Sequence, residues 1–273
     1  MVRGSTVLLC LVMFVSLLAS PVFADRSTED VQSKIIERFD SPTGDKDASK
    51  YEYRQNHRWV VRGSKFITEG SLKYSWVKTY PTALFPNAPA SEDYRALGVQ
   101  AAFDRMGYNF LEFVPVEDAD SKDGKPVEKG IAIPGRVKIM DFWVYGSNLK
   151  YYLEVQLRDH RGMVHSLRAG DLTFMGWRNF RIEIPHGIPQ DVATAPSVKG
   201  LELVKIVLWT YPQEITIPFT FYIDHIKVLT DMFETPYDGS LLNDPKVFND
   251  VWSSGTGTFE SKATSGATTP ATK

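Results

Sequence analysis

Leu201-Glu-Leu-Val-Lys-Ile-Val-Leu-Trp209, then Tyr211-Pro-Gln-Glu214, then Ile215-Thr-Ile-Pro-Phe-Thr-Phe-Tyr-Ile-Asp-His-Ile-Lys-Val-Leu229 is the stretch that decides the fold. Val204, Ile206 and Leu208 alternate with Lys205, Val207 and Trp209, the period of a strand. Phe219, Phe221 and Ile223 alternate in the same way, but the apolar phase then moves to Ile226 and Val228. A slip of one residue at Asp224–His225 predicts a β-bulge, which bends a strand and re-aims the side chains after it. Pro212 sets φ at the break between the two runs, so they are expected to form a hairpin. Nothing in the stretch is catalytic.

The same period recurs on either side of this stretch. Met140, Phe142 and Val144 alternate with Asp141, Trp143 and Tyr145; Gly146-Ser-Asn148 turns the chain; Tyr151, Leu153, Val155 and Leu157 alternate with Tyr152, Glu154, Gln156 and Arg158. Met163–Leu167 and Asn179–Ile184 continue the pattern, with Phe180, Ile182 and Ile184 on one face. Upstream, Val31–Asp40 is either a short helix or a first strand. Tyr51–Val61 and Ser71–Tyr80 read as strands, and Arg95–Phe103 with Tyr108–Pro115 as a strand pair turned at 104–107. Short strands with Gly/Pro turns predict an all-β chain: an antiparallel β-sandwich of jelly-roll, carbohydrate-binding-module-like type, with a few short helices.

The chain opens on Arg3, an apolar run Val7–Leu18 and small residues ending at Val22-Phe23-Ala24. That pattern predicts a signal peptide over residues 1–24, cut between Ala24 and Asp25. The apolar run is shorter than the ~20 residues a membrane span needs, so no membrane anchor is expected. Cys10, the one cysteine, lies in the leader, so the exported domain holds itself together by its core alone. Residues 25–252 are expected to form one sandwich domain and 253–273, rich in Ser, Thr, Gly and Ala, a flexible tail. Losing Arg3 with the leader takes the net charge from −2 to −3, with no basic stripe for nucleic acid.

His160 and His165 straddle Gly162 at a turn, with no third ligand at a metal-site spacing, which favours solvent-facing turn histidines. Asp118, Asp120 and Asp123-Gly124 hint at a calcium loop, but the glycine falls one place late and Lys129 stands where a bidentate Glu belongs. No Gly-x-Ser-x-Gly elbow, phosphate-cradling glycine loop or singled-out carboxylate pair occurs. Asp224–His225 lacks a marked nucleophile, so a structural hydrogen bond is the expected role there. No enzyme activity, cofactor or metal is predicted.

What remains is aromatic. If Met140, Phe142 and Val144 point inward, Trp143 and Tyr145 point outward. Tyr152 is expected beside them, and Val207 with Trp209 face away from Val204, Ile206 and Leu208. Rings on the outside of a sheet call for a covering loop, a partner or a ligand. Trp143, Tyr145, Tyr152, Val207 and Trp209 are therefore the candidate protein-interface residues, with a sugar-stacking platform as the rival use.

Two segments carry a family resemblance. Gly176-Trp-Arg-Asn-Phe-Arg-Ile-Glu-Ile-Pro185 and Phe221-Tyr-Ile-Asp-His-Ile-Lys-Val-Leu-Thr-Asp231 resemble the flagellar filament outer layer (sheath) proteins of spirochaetes, the FlaA family, over about Val31–Tyr237. The second segment also resembles the last strand of many carbohydrate-binding sandwiches. The resemblance implies a non-enzymatic subunit of a periplasmic flagellum that coats the flagellin core, associates with other sheath proteins and with itself in a lateral lattice, and contributes to filament curvature and motility. It defines no catalytic residue. Independently, neither end of the chain carries the sustained heptads of a core flagellin. The alternative is a secreted carbohydrate-binding module or adhesin; a sandwich-type glycoside hydrolase or lyase would need a cluster of ionisable groups in a cleft.

Overall fold

The computed structural model describes residues 30–43, 55–87, 93–117, 126–190, 200–232 and 245–255. The leader with its cleavage site, the acidic 118–125 loop with its candidate calcium ligands, and most of the tail lie outside them. In chain order the elements are β1 (Val31–Glu37), β2 (Arg58–Gly63), β3 (Lys73–Val77), β4 (Ala96–Ala101), β5 (Phe110–Glu117), β6 (Val127–Glu128), β7 (Ile131–Ala132), β8 (Arg136–Ser147), β9 (Tyr151–Arg158), β10 (Val164–Asp171), β11 (Met175–Glu183), β12 (Glu202–Thr210), β13 (Phe219–Asp231) and the helix α1 (Pro245–Ser253). The first sheet runs β11-β8-β13-β4-β3, with β1 also on β13; the second runs β10-β9-β12-β5-β2, with β6 on β5 and β7 on β12. All pairings are antiparallel. The fold is the expected antiparallel β-sandwich.

Strand β13 organises the first sheet. Its Phe219–Ile223 half pairs with β4 and its Ile226–Asp231 half with β1, while β8 lies along the other side. The register moves from Asp224↔Trp143 to Lys227↔Asp141, so β13 carries one residue more than β8 across this interval. This is the bulge the apolar phase predicted. His225 takes φ 55° there, a left-handed conformation that His adopts more readily than most non-glycine residues. Phe219, Phe221 and Ile223 before it, and Ile226 and Val228 after it, are all buried.

The two sheets meet through rings and aliphatic side chains. Phe113 of β5 and Phe221 of β13 lie 5.4 Å apart across the sandwich, and Phe219 packs edge-on against Tyr151 of β9 at 5.0 Å. Glu37, at the end of β1, joins the layers by polar contacts. Its carboxylate accepts the backbone N–H groups of Phe39 (2.8 Å) and His57 (2.9 Å) and the indole N–H of Trp59 (2.9 Å), with His57 Nδ1 at 3.0 Å. Phe39 is left-handed (φ 58°) and fully buried against Trp59, at 5.2 Å. Such backbone is costly for a bulky residue and persists where its surroundings over-determine it.

Several local expectations need correction. β12 and β13 are not a hairpin: β12 pairs in the second sheet and β13 in the first, so residues 211–218 arch from one layer to the other. β4 and β5 likewise belong to opposite sheets. Alternation and a turn are common to a hairpin and an arch; the partner strand alone distinguishes them. A second bulge, between Leu203 and Lys205 on β12, puts Leu203 in the core with Ile206 and Leu208 and leaves Val204 half-buried. Val31–Glu37 is a strand, which settles the choice left open for the first segment.

Replacing Glu37 tests the inter-sheet link. Glu37→Gln keeps the shape but presents one acceptor oxygen to a set of buried donors. It should lower unfolding stability by about 2–3 kcal/mol, the cost of orphaning one or two donors. A change under about 0.5 kcal/mol in chemical denaturation would remove Glu37 from this role.

Candidate interaction site

The five ring-bearing and apolar candidates divide between the two outer faces. Trp143 and Tyr145 stand on β8 in the first sheet; Tyr152, Val207 and Trp209 stand on β9 and β12 in the second. Tyr152 is therefore not beside Trp143 and Tyr145 but on the opposite side of the sandwich. Period alone says that a side chain faces out, and the sheet to which its strand belongs decides in which direction.

On the first sheet, antiparallel register sets Tyr145 between Trp177 of β11 and Tyr222 of β13. The three rings contact one another edge-on or tilted, with centroids 5.8 Å (Tyr145–Trp177), 5.4 Å (Tyr145–Tyr222) and 6.2 Å (Trp177–Tyr222) apart. Tyr222 lies over Gly98 of β4, where an added Cβ would come within 2.8 Å of the ring. Only glycine lets that ring settle onto the strand. Met175, 67% exposed, rims the cluster, its sulfur accepting from the Tyr145 hydroxyl at 3.7 Å. Trp143 stands in the next row between Asn179 and Asp224. Trp177 and Tyr222 were missed as candidates although their outward phase follows from the buried Phe180/Ile182 and Phe221/Ile223 runs beside them.

The second sheet carries a row Phe110–Trp209–Tyr152. Centroids are 5.2 Å apart for Phe110–Trp209 and 6.5 Å for Trp209–Tyr152, the latter rings within 17° of parallel. Tyr211 extends the row at 5.1 Å from Tyr152. Here the rings are already capped. The Arg168 guanidinium sits 4.6 Å from the Tyr152 centroid and 5.8 Å from that of Tyr211, donates to Asp171 at 2.6 Å and pairs with the Tyr211 hydroxyl. Val207 stands between Glu112 and Glu154 and is only 1% exposed. It is a packed residue, which corrects its place among the interface candidates.

The polar candidates are structural. Asp159 accepts the backbone N–H groups of Arg161 and Met163 and lies 2.9 Å from His165 Nε2, closing the β9–β10 turn. That contact with His165 holds the Asp159 carboxyl below the usual range. His160 Nδ1 lies 3.2 Å from the Pro189 carbonyl. Both histidines are half-buried rather than solvent-facing. Among the described residues no three His, Cys, Asp or Glu side chains are grouped to hold a metal.

At the bulge, Asp224 is 3% exposed and His225 8%. Tyr94 stacks on Phe85 at 4.2 Å, and Phe85 meets the His225 ring edge-on at 5.9 Å. Burial, then the charges of Asp40 and Glu37, push the Asp224 carboxyl up to about 9 against an opposing backbone hydrogen bond from His225. Burial, with Arg38 and Lys227 adding to it, pushes His225 down to about 4. Near neutral pH both side chains are uncharged, because burial disfavours the charged form of each.

A native value raised above the unfolded one means that the folded state holds a proton the unfolded chain has lost. The Asp224 contribution to stability is thus complete below about pH 4 and drains away as pH rises through about 9. His225 acts with the opposite sign: its contribution is present above about pH 6.5 and is lost as pH falls through about 4. Asp224→Asn should therefore flatten the fall in stability between pH 6 and 9, whose slope cannot exceed about 1.4 kcal/mol per pH unit for one proton. Parallel pH profiles for parent and variant in urea unfolding would contradict this.

The sequence model of the flagellar filament outer layer protein family, FlaA, matches residues 51–237. A flagellar filament outer layer-like protein of Brachyspira hyodysenteriae is 26% identical over 141 residues, covering 52% of this chain and 60% of that relative. Among solved structures, the family 11 carbohydrate-binding module of a Clostridium thermocellum cellulosomal cellulase aligns with TM-score 0.38 and 10% identity over 74% of this chain and 96% of the module. The module TmCBM61, solved with β-1,4-galactotriose, aligns with TM-score 0.35 and 17% identity over 63% of this chain and 88% of the module.

Proposed function

From the premise that this chain belongs to the flagellar filament outer layer family, we propose that it is a structural subunit coating the flagellin core of a periplasmic flagellar filament. The observation that carries the reading is the family match across most of the sandwich, residues 51–237. An apolar interior with no grouped metal ligands among the described residues is compatible with a packing role. The leader over residues 1–24, cut after Ala24, would deliver the domain to the periplasm, where it would meet core flagellin, other outer-layer proteins and copies of itself. An unevenly placed coat would stiffen one side of the filament and so bias its curvature and the cell's swimming wave.

The saccharide-binding rival asks for open ring faces. On the second sheet the Tyr152 ring is covered by Arg168, and Trp209 is bracketed by Phe110 and Tyr152. The Tyr145–Trp177–Tyr222 cluster is edge-to-face and tilted, a geometry better suited to receiving side chains from a protein partner than to a flat sugar ring.

Deleting the gene should leave filaments thinner and altered in curvature when purified and imaged; filaments of unchanged diameter and shape would refute the coat role. In the intact protein, Trp177→Glu should cut co-sedimentation with filaments several-fold while moving the unfolding free energy by less than about 1 kcal/mol, as expected of a half-exposed anchor. Equal co-sedimentation would dismiss this cluster as the filament contact.

A further inference from the structure

A cavity of about 410 Å³ opens on the outer face of the first sheet, where β3, β4 and β13 lie side by side. Small-molecule sites run from about 300 to 1,000 Å³. Antiparallel register sets Lys73, Gln100 and Thr220 in one row across the three strands, with neighbouring backbones about 5 Å apart. This row faces away from the core, because Val99, Ala101, Phe219 and Phe221, which flank it on β4 and β13, are buried. Ile217 and Pro218 of the 211–218 arch add an apolar wall, and Ile217 is 42% exposed.

The polar lining is one-sided. Ser147 Oγ donates to the Thr220 carbonyl, and Ser71 Oγ is engaged with the backbone of Thr68 and Ala102. The Lys73 ammonium, the Gln100 amide and the Thr220 hydroxyl have no hydrogen-bond partner among the described residues. No Asp or Glu is among the lining residues. On the flanking loops, Glu214 accepts the backbone N–H groups of Lys150 and Ile215, and Asp104 accepts the Thr68 hydroxyl. Glu69 precedes Gly70 but stays outside the lining.

Lysine is charged at neutral pH, so the cavity presents one positive charge, two further donors and an apolar wall, with no anion of its own. We propose that it binds a carboxylate carried on a short apolar stem. The two oxygens of a carboxylate offer about four acceptor sites, which suits Lys73 and Gln100, directly opposite one another on adjacent strands, and Thr220 beside them. The charge-assisted bond to Lys73 selects an acid over its amide, while the stem lies against Ile217 and Pro218. A free short-chain acid and a glutamate side chain present the same chemistry. The site goes beyond the outer-layer reading and does not depend on it.

The test titrates the full ¹⁵N-labelled chain with acetate, butyrate, hexanoate and butyramide at constant ionic strength, up to about 50 mM for millimolar binders, and follows amide shifts by NMR. Butyrate should move the amides of residues 73, 100, 147, 217 and 220 together and bind at least about fivefold more tightly than butyramide. Affinity should rise about two- to threefold per methylene along the acid series as the stem is covered. Lys73→Gln should remove the preference for butyrate over butyramide, and Lys73→Arg should keep it. Both should leave the unfolding midpoint unchanged, since Lys73 is exposed. No shifts, shifts centred on another surface, equal affinity for butyrate and butyramide, or a preference that survives Lys73→Gln would each overturn the proposal. A capped Gly-Glu-Gly peptide set against propionate, the same side chain freed, distinguishes the sources: tighter peptide binding assigns a protein-borne glutamate, and tighter propionate binding a free acid. Failure of the outer-layer reading abolishes co-sedimentation with filaments but not the titration, and failure of the carboxylate site has the reverse signature.

Discussion

A thirteen-residue strand with partners on both edges has to keep one face in the core from end to end, and β13 does so only by carrying an extra residue at Asp224–His225. Side-chain direction alternates strictly, so without the bulge one half of β13 would turn its apolar residues outward. The other halves of the sheet depend on that correction: β4 pairs before the bulge, β1 after it, and β8 spans both. The extra residue brings a polar demand. Asp224 and His225 are buried together and remain uncharged, and the neighbouring turn after β1 is pinned by the Glu37 carboxylate. A strained, polar seam therefore lies where β1, β2 and β13 meet.

With the interior closed by rings and aliphatic side chains, what distinguishes this sandwich lies on its outer faces, and these are not equivalent. The second sheet presents Phe110, Trp209, Tyr152 and Tyr211 already arranged among themselves under Arg168 and Asp171. The first presents an edge-to-face trio with an exposed methionine at its rim. The two faces differ in consequence: a surface that satisfies itself resists aggregation, while an open one can be matched by a partner. Helix α1 carries exposed apolar side chains of its own, Phe248, Val251 and Trp252.

Much of this was legible in the amino-acid order. Phe219–Ile223 and Ile226–Val228 announced the bulge because a phase slip leaves a mark in the pattern itself. Trp143 and Tyr145 were placed outward correctly for the same reason. Val204 was misplaced because the β12 bulge falls among residues that are apolar in either phase, Leu203, Val204, Ile206 and Val207, so no polar residue records the slip. Val207 reads as exposed by phase, yet it is buried, with Glu112 and Glu154 as its neighbours on the adjoining strands. The helix at Pro245–Ser253 was passed over because two turns give period 3.6 little room to declare itself.

The sequence alone determined the chemistry of each strand: which side chains face in, where the backbone must slip and which family the chain resembles. Tertiary structure decided who pairs with whom. Residues 211–218 and the turn at 104–107 join strands of opposite layers, although their sequences serve equally for hairpins. That choice turned a single expected aromatic patch into two, back to back. Periodicity is a property of one strand and its own backbone, whereas pairing and layer are settled by the combined fit of residues far apart in the chain, for which no local pattern exists.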